Sequence, residues 1–379
     1  RLVSGPISTW VKFIVRRSEK AAIDLHLLSL PLTSGQLAAV ILEFLSRRRM
    51  KAGYERVTIT FVHLKGSRCL MEREFIQWIR TQLPPDPRLL LGAGDDAAVL
   101  DLAQESGCVV TSDLLMDRVD FLVEECSPQR IGRKALAVNL SDLAAMAAQP
   151  HSVVVSLALP RRGAHALAVG LYEGILPLAR EFKTSIAGGD TNTWDGPLVI
   201  SITAIGETTG NGPVARSGAR PGDTVLVTGE FGGSILSKHL DFTPRVHEAL
   251  CLHRDYQLHA LTDVSDGLSV DLSHIVEESG CGIVINRDSI PISEAAIQLA
   301  AQMGDAPSAL AHALSDGEDF ELIIVMAADA AEQLVQQQPF AVPVTPIGHV
   351  VEDTGLWWCG EHGDLMPLEI SGYEHRGVE

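Results

Sequence analysis

The chain has 379 residues, 46% of them hydrophobic, enough for a sizeable core and, at roughly 100–200 residues per domain, for two or three domains. Its formal net charge of −18 argues against a nucleic-acid-binding role, which calls for a basic face. Six cysteines without Cys-x-x-Cys spacing and thirteen histidines without His-Glu-x-x-His spacing argue against a disulfide scaffold and zinc hydrolysis, and fit a reducing, cytoplasmic setting.

The charge is unevenly spread. Residues 1–70 carry 12 Lys and Arg against 4 Asp and Glu, net +8, which leaves net −26 for residues 71–379. That break predicts a separable basic extension over 1–70, of unknown role and either an amphipathic helix or unstructured, ahead of an acidic body. Its run "LAAVILEFL" is about half of the roughly 18 apolar residues that suggest a membrane span, so no membrane partner is expected. Met71 opens "MEREFIQWIR", which reads as a helix over 72–82 and as a protein start, making 1–70 an accessory or mistranslated leader.

Beyond a Pro-rich stop, "PPDP", strands and helices alternate in an α/β (α+β) pattern. "GCVVTSD" reads as a buried strand ending at Asp113, and "RIGRKALAVNLSDLAAMAAQ" as a long helix closed by Pro150. "SVVVSLALP" is the next strand, a helix covers about 164–182, and "TSIAGGDTN" and "LVISITAIGE" supply two more strands. The Gly- and Pro-dense segment "TGNGPVARSGARPGD" marks a boundary between domains over 71–210 and 211–379. After it come a strand with a glycine loop, "TVLVTGEFGGS", a helix in "DGLSVDLSHIVEESG", and a buried strand, "FELIIVM".

The acids carry the chemical signal. Asp95 and Asp96 follow a Gly-Ala-Gly turn in "LLLGAGDDAAVLDL", where they either form a surface turn or face a cation with hard oxygen ligands. Asp113 and Asp190 are read at strand ends, and Asp263 and Asp266 flank Ser265 just before a helix. One edge of an α/β sheet is where ligands collect, although Asp190 also suits a turn and Ser265 or Asp266 a helix cap. Asp142 sits inside a helix apolar enough to be buried, with Asn139 three residues earlier. A lone buried carboxylate there is costly, so it needs a metal or an ion-pair partner. Arg216 suits either a phosphate clamp or a solvated loop. No P-loop motif occurs, and "GEFGGS" alone is weak evidence for a phosphate cradle.

Taken in order, "GAGDDAAVL", "VVTSDLLMDRVDF", "KALAVNLSDLAAM", "AGGDTN", "ARSGARPGD", "DVSDGLSVDLSHI" and "GEDFELI" resemble the thiamine-monophosphate kinases, in the superfamily of aminoimidazole ribonucleotide synthetase. The resemblance runs from about Met71 to "SGYEH". It implies a two-domain fold, with an N-terminal ATP- and magnesium-binding α/β domain that dimerises through its strands and a C-terminal α/β domain. It implies ATP as co-substrate, several Mg2+ ions, thiamine monophosphate as acceptor and a homodimer.

By the same resemblance, magnesium ligands fall on Asp95, Thr111, Ser112, Asp113, Asp142, Asp190, Asp263 and Asp266, with Asp142, Asp190 and Asp266 central to catalysis. ATP contacts fall on Tyr172, Gly189, Asp190, Arg216 and Ser265, and substrate contacts on Asp120, Glu318 and Tyr373. Asp120 stands where the family usually has histidine, which bears on its substrate role. Such a site needs no dedicated general base, because the acceptor is itself a largely dianionic phosphate at neutral pH. A sister activity, selenophosphate or aminoimidazole ribonucleotide synthesis, would use a similar fold, and a non-catalytic nucleotide or thiamine-phosphate sensor would keep the pocket without turnover.

Overall fold

The computed structural model describes residues 13–17, 22–28, 56–62, 75, 78–91, 99, 100, 102, 107–236, 238–302, 307–360 and 364–373. The chain divides into two compact units, Arg1–Glu74 and Phe75–Glu379. In the first, β1 (Phe13–Arg17), β2 (Ala22–Leu28) and β3 (Arg56–Val62) form a sheet in that order. The β1/β2 pair is antiparallel and the β2/β3 pair parallel. These strands stand in place of the amphipathic helix or unstructured extension that the charge suggests, and β3 is the β-branched run "RVTITFV", which favours a strand. The run "LAAVILEFL" and Asp95 lie outside the described residues.

The second unit opens with helical residues at 75 and 78–82, then a short β4 (Leu89–Leu91) and β5 (Val99–Leu100) pair. A four-stranded sheet follows, built from β6 (Cys108–Met116), β7 (Ala148–Pro160), β8 (Ser185–Trp194) and β9 (Val199–Thr208) in the order β6-β9-β7-β8. Helices α1 (Pro128–Ala145) and α2 (Ala164–Glu181) belong with it. Along β9, Ile200, Ile202 and Ala204 are buried while their neighbours are half-exposed, the two-residue period of a sheet with one covered face.

Helix α1 starts cleanly because Ser127 caps the amide of Arg130 and Pro128 takes a first-turn position where no N–H is needed. It ends earlier than Pro150, at a left-handed Ala147 with φ 50°. Pro150 instead lies inside β7, at a bulge against β9 and ahead of Ser152, where pairing with β8 begins. The missing N–H of proline is tolerated at such a locally unpaired position.

A Cβ on Gly132 would fall 2.0 Å from the Leu171 carbonyl oxygen, and one on Gly174 would fall 1.8 Å from that of Gln129. Only glycine lets the two helix backbones meet this closely.

The remaining elements form a second domain. Its seven-stranded sheet contains β10 (Thr224–Thr228), β11 (Leu258–Asp263), β12 (Gly282–Ile285), β13 (Leu322–Met326), β14 (Val344–Val351), β15 (Gly355–Cys359) and β16 (Leu365–Pro367). The strand order is β11-β13-β10-β14-β12-β15-β16. Every residue of β13 is buried, as "LIIVM" requires of a central strand. Around the sheet lie α3 (Lys238–Asp241), α4 (Val246–Asp255), α5 (Leu268–Ser279), α6 (Glu294–Gln302), α7 (Ala309–Ser315) and α8 (Ala328–Gln337).

Helix α1 packs on β6 and β9 of its own domain and on α3, α4 and β11 of the second. It is therefore the seam of the molecule. Lys134, Ser141 and Asp142, at spacings of about two helical turns, lie on one face of it.

Candidate active site

The sequence placed Asp113 and Asp190 at strand ends, but β6 runs on to Met116 and β8 to Trp194. Ladder pairing carries both strands past the acids, with Asp113 opposite Ile202 and Asp190 opposite Ser156. Asp263 does end β11.

Thr111 and Asp113 pair with Ala204 and Ile202, whose side chains are buried, so both acid-site residues share the sheet face that α1 covers. There the Thr111 hydroxyl donates to Asp142 Oδ2. One residue earlier on α1, the Ser141 hydroxyl donates to Asp263 Oδ2 from the second domain. Three carboxylates from β6, α1 and β11 are thus drawn to one seam.

Their electrostatics show the strain of that arrangement. Burial raises Asp113 to about 7, helped by the charges of Asp142 and Asp120. Burial also raises Asp142, although Thr111 and Arg216 pull it the other way. Asp263 is pushed up by burial and then by the Asp142 charge, against Ser141 and Arg216. Arg216 itself is exposed and donates to the Thr262 hydroxyl at 3.2 Å.

Asp113 Oδ2 is buried without a hydrogen-bond partner. Crowded anionic oxygens with an orphan among them fit a hard divalent cation. Among the described residues no three His, Cys, Asp or Glu side chains enclose a metal ready-made.

The loop after β11 is shaped by a residue the sequence reading missed. Asp271, fully buried in α5, accepts from the amides of Ser265, Asp266 and Gly267 at 3.1, 3.1 and 3.2 Å. An acid in the first turn of a helix was the available signal. Ser265 and Asp266 are held half-exposed beside the cluster, and the Asp266 carbonyl accepts from the Tyr373 amide at 2.9 Å.

The "GEFGGS" loop does not stand free as a phosphate cradle. Asp319 accepts from the Gly232 amide at 3.1 and 3.0 Å, and Asp316 from that of Gly233 at 2.8 Å. Below it, Glu321 takes two 2.7 Å bonds from Arg245, one from the Thr228 hydroxyl, and lies 3.0 Å from Lys238. Burial alone would raise Glu321, yet Arg245 and Lys238 hold it below the usual range.

Glu318 and Phe320 carry left-handed backbones, φ 53° and 51°. For non-glycine residues this costs roughly 1–2 kcal/mol each, so the surroundings must hold them. Phe320 stacks on Phe242 with centroids 4.0 Å apart. Glu318 Oε1 lies 2.6 Å from the Lys134 ammonium and Oε2 lies 3.3 Å from His239 Nδ1. Burial would raise Glu318, but His239 and Lys134 outweigh it and keep the acid low.

Other expected residues lie apart. Ser112 points to the opposite sheet face, 3.0 Å from the Thr203 hydroxyl, as strand alternation demands beside Asp113. Asp190 and Gly189 are exposed on β8, where Asp190 accepts from the Thr191 amide at 2.8 Å. Tyr172 is 4% exposed, edge-on to Phe75 in the core, and burial raises its hydroxyl. Tyr373 is half-exposed and, unlike these, is tied by its amide to Asp266 beside the cluster. A cavity of about 600 Å³ lined by Arg80, Arg88, Leu176 and Lys183 contains none of these residues.

The model for the AIR synthase related protein N-terminal domain matches residues 94–208, and that for the C-terminal domain matches 220–357. A thiamine-monophosphate kinase of Rhodopirellula baltica is 45% identical over 294 residues, covering 76% of this chain and 92% of the relative. The chain belongs to the thiamine-monophosphate kinase family.

Solved members of the family agree. The crystal structure of the enzyme from Stenotrophomonas maltophilia K279a matches with TM-score 0.67 at 34% identity, covering 76% of this chain and 96% of that one. AaThiL complexed with AMPPCP and TMP matches with TM-score 0.63 at 26% identity, over 82% of this chain and 99% of that one. The two-domain α+β architecture expected from the motifs is therefore the fold observed. Among the described residues no helix is long and apolar enough to cross a membrane.

Proposed function

We propose that this protein transfers the γ-phosphoryl group of ATP directly to thiamine monophosphate, giving thiamine diphosphate and ADP with magnesium assistance. The observation that carries the reading is the convergence of Asp113, Asp142 and Asp263 on the α1 seam, with a buried, unpartnered oxygen among them. The relatives' name and the AMPPCP and TMP complex of AaThiL support the choice of substrates.

Bound magnesium would neutralise charge on the donor and acceptor phosphates, whose repulsion otherwise opposes their approach. Asp113, Asp142 and Asp263 would hold it, with Thr111 orienting Asp142 and Ser141 orienting Asp263. The family resemblance adds Asp95, Ser112, Asp190 and Asp266 to the ligand set; of these, Asp266 is the one held beside the three carboxylates, in the loop after Asp263. Arg216, exposed next to the cluster, is suited to clamp a nucleotide phosphate beside Ser265. Glu318, whose side chain keeps 34% exposure while held from behind, is suited to present its carboxylate to the cationic acceptor. Gly189, Tyr172 and Tyr373 remain proposed contacts from the resemblance alone.

Incubation of the pure protein with ATP, magnesium chloride and thiamine monophosphate is expected to yield thiamine diphosphate and ADP in equal amounts. ADP formed without the diphosphate would refute the reading.

The open face of the four-stranded sheet carries Val110 at 60% and Leu114 at 59% exposure, which supports a homodimer formed through these strands. A cytoplasmic location follows from the same reading. The chain beginning at Met71 should keep full turnover, given the unit boundary at Glu74; loss of activity there would make the basic region integral.

Asp120 is bound into its own turn, with Oδ2 accepting from the Met116 amide at 2.6 Å, and its charge helps raise Asp113. This supports placing it beside the metal cluster. Asp120→His should preserve turnover and shift the KM for thiamine monophosphate more than that for ATP. Equal shifts in both would remove Asp120 from the acceptor half.

A further inference from the structure

Lys134 is fully buried, with 0% exposure, and a buried ammonium is tolerated only when its hydrogens are met. Its Nζ lies 2.6 Å from Glu318 Oε1, donates to the Asp120 carbonyl oxygen at 2.8 Å and lies 3.2 Å from His239 Nδ1. The imidazole either accepts from the ammonium or donates to Glu318 Oε2, according to its tautomer.

Two of these partners belong to loops from different domains. Asp120 sits in the turn after β6, while Glu318 and its left-handed backbone sit in the loop before β13. The neighbouring bases of α1 do simpler work: Arg130 pairs with Asp241 on the surface, and Arg133 donates to the Phe242 carbonyl at 2.6 Å. Both only fasten α1 to the second domain. Lys134 differs because its target, Glu318, is partly open to solvent and able to meet a ligand.

We propose that Lys134 is a positioning residue for the phosphate acceptor: from within α1 it fixes the Glu318 carboxylate and the Asp120 turn relative to one another, and so sets the thiamine monophosphate half of the site. The proposal rests on the function inferred above. Lys134 and Ser141, which reaches Asp263, are seven residues apart on α1, about 10 Å along the axis. One helix thus holds both the acceptor side and the acid cluster in register.

The test is a double-mutant cycle on the full chain with Lys134→Met, Glu318→Gln and their combination, reading kcat, both KM values and thermal stability. Methionine has similar length and flexibility without the charge. Breaking one side of a buried ion pair is destabilising, whereas removing both sides restores balance. Lys134→Met should therefore lower the melting temperature, and the double variant should recover it.

Lys134→Met is expected to raise the KM for thiamine monophosphate by about tenfold or more while that for ATP moves by less than about twofold. If Lys134 acts through Glu318, the double variant will bind the acceptor no worse than Glu318→Gln alone. Equal rises in both KM values, or a further tenfold rise in the double variant over Glu318→Gln, would overturn the proposal and leave Lys134 as a brace between domains. Should Lys134→Met not fold, the comparison of the double variant with Glu318→Gln carries the same decision. Wild-type protein that fails to phosphorylate thiamine monophosphate would instead refute the function, whereas active wild type with parallel KM shifts refutes only the role of Lys134.

Discussion

Asp142→Asn is expected to lower kcat for thiamine diphosphate formation by about 10³-fold or more, equivalent to roughly 4 kcal/mol of transition-state stabilisation, while the folded protein without metal becomes no less stable. The two effects have one cause. Asp142 lies between Asp113 and Asp263 and its charge raises both of them, so the ionised trio repels itself until a cation is supplied. Asparagine keeps an oxygen to accept from Thr111 and fills the same space, but it removes the central negative charge. Self-repulsion falls and so does the capacity to hold magnesium. Thermal melting in EDTA and steady-state kinetics on the same preparation read the two halves. Activity within tenfold of wild type, or a large loss of stability, would place Asp142 in a purely structural role.

Asp142 was also the residue most legible in the sequence, because a carboxylate inside an Ala- and Leu-rich helix has few places to go. The alternation of strands and helices was legible for a similar reason, being a local pattern with a fixed period. Ser112 could have been separated from Asp113 on the same grounds, since adjacent strand residues face opposite ways.

What stayed hidden depends on distance along the chain. Lys134 reads as an ordinary basic residue near a helix start, and its burial is decided by His239, 105 positions away, and by Glu318. Glu321 reads as one more acid in "GEDFEL", yet Thr228, 93 positions away, and Arg245 make it the centre of a buried network. The role of the glycine loop could not be read because the carboxylates that take its amides, Asp316 and Asp319, lie 83 and 87 positions further on. Local pattern cannot assign such partners.

The acid cluster also predicts how stability should respond to pH and magnesium. In the unfolded chain these carboxylates titrate near 3.8, whereas Asp113 titrates at about 7 in the fold and Asp142 and Asp263 are shifted upward as well. Between those limits the folded state binds more protons than the unfolded one, so stability must fall as pH rises, by about 1.4 kcal/mol per pH unit for each such group. Glu318 and Glu321 are shifted the other way, and their stabilisation is lost only as pH falls through the lower carboxylate range. Metal-free protein should therefore be most stable at the acid end of that interval, at about pH 4, and lose several °C of melting temperature between pH 5 and pH 8. Magnesium binds the ionised acids and releases their protons, so its stabilising effect should grow over the same interval and be small at pH 5. Melting curves at half-unit steps, with EDTA or with magnesium chloride, measure both slopes. Asp319, which burial also raises to about 7, adds to the EDTA slope on its own, so the deciding result is the magnesium effect: one independent of pH would show that the three carboxylates are not the crowded anionic site described. Asp142→Asn should make both slopes shallower without abolishing them, because Asp113 and Asp263 are raised first by burial and only then by the Asp142 charge.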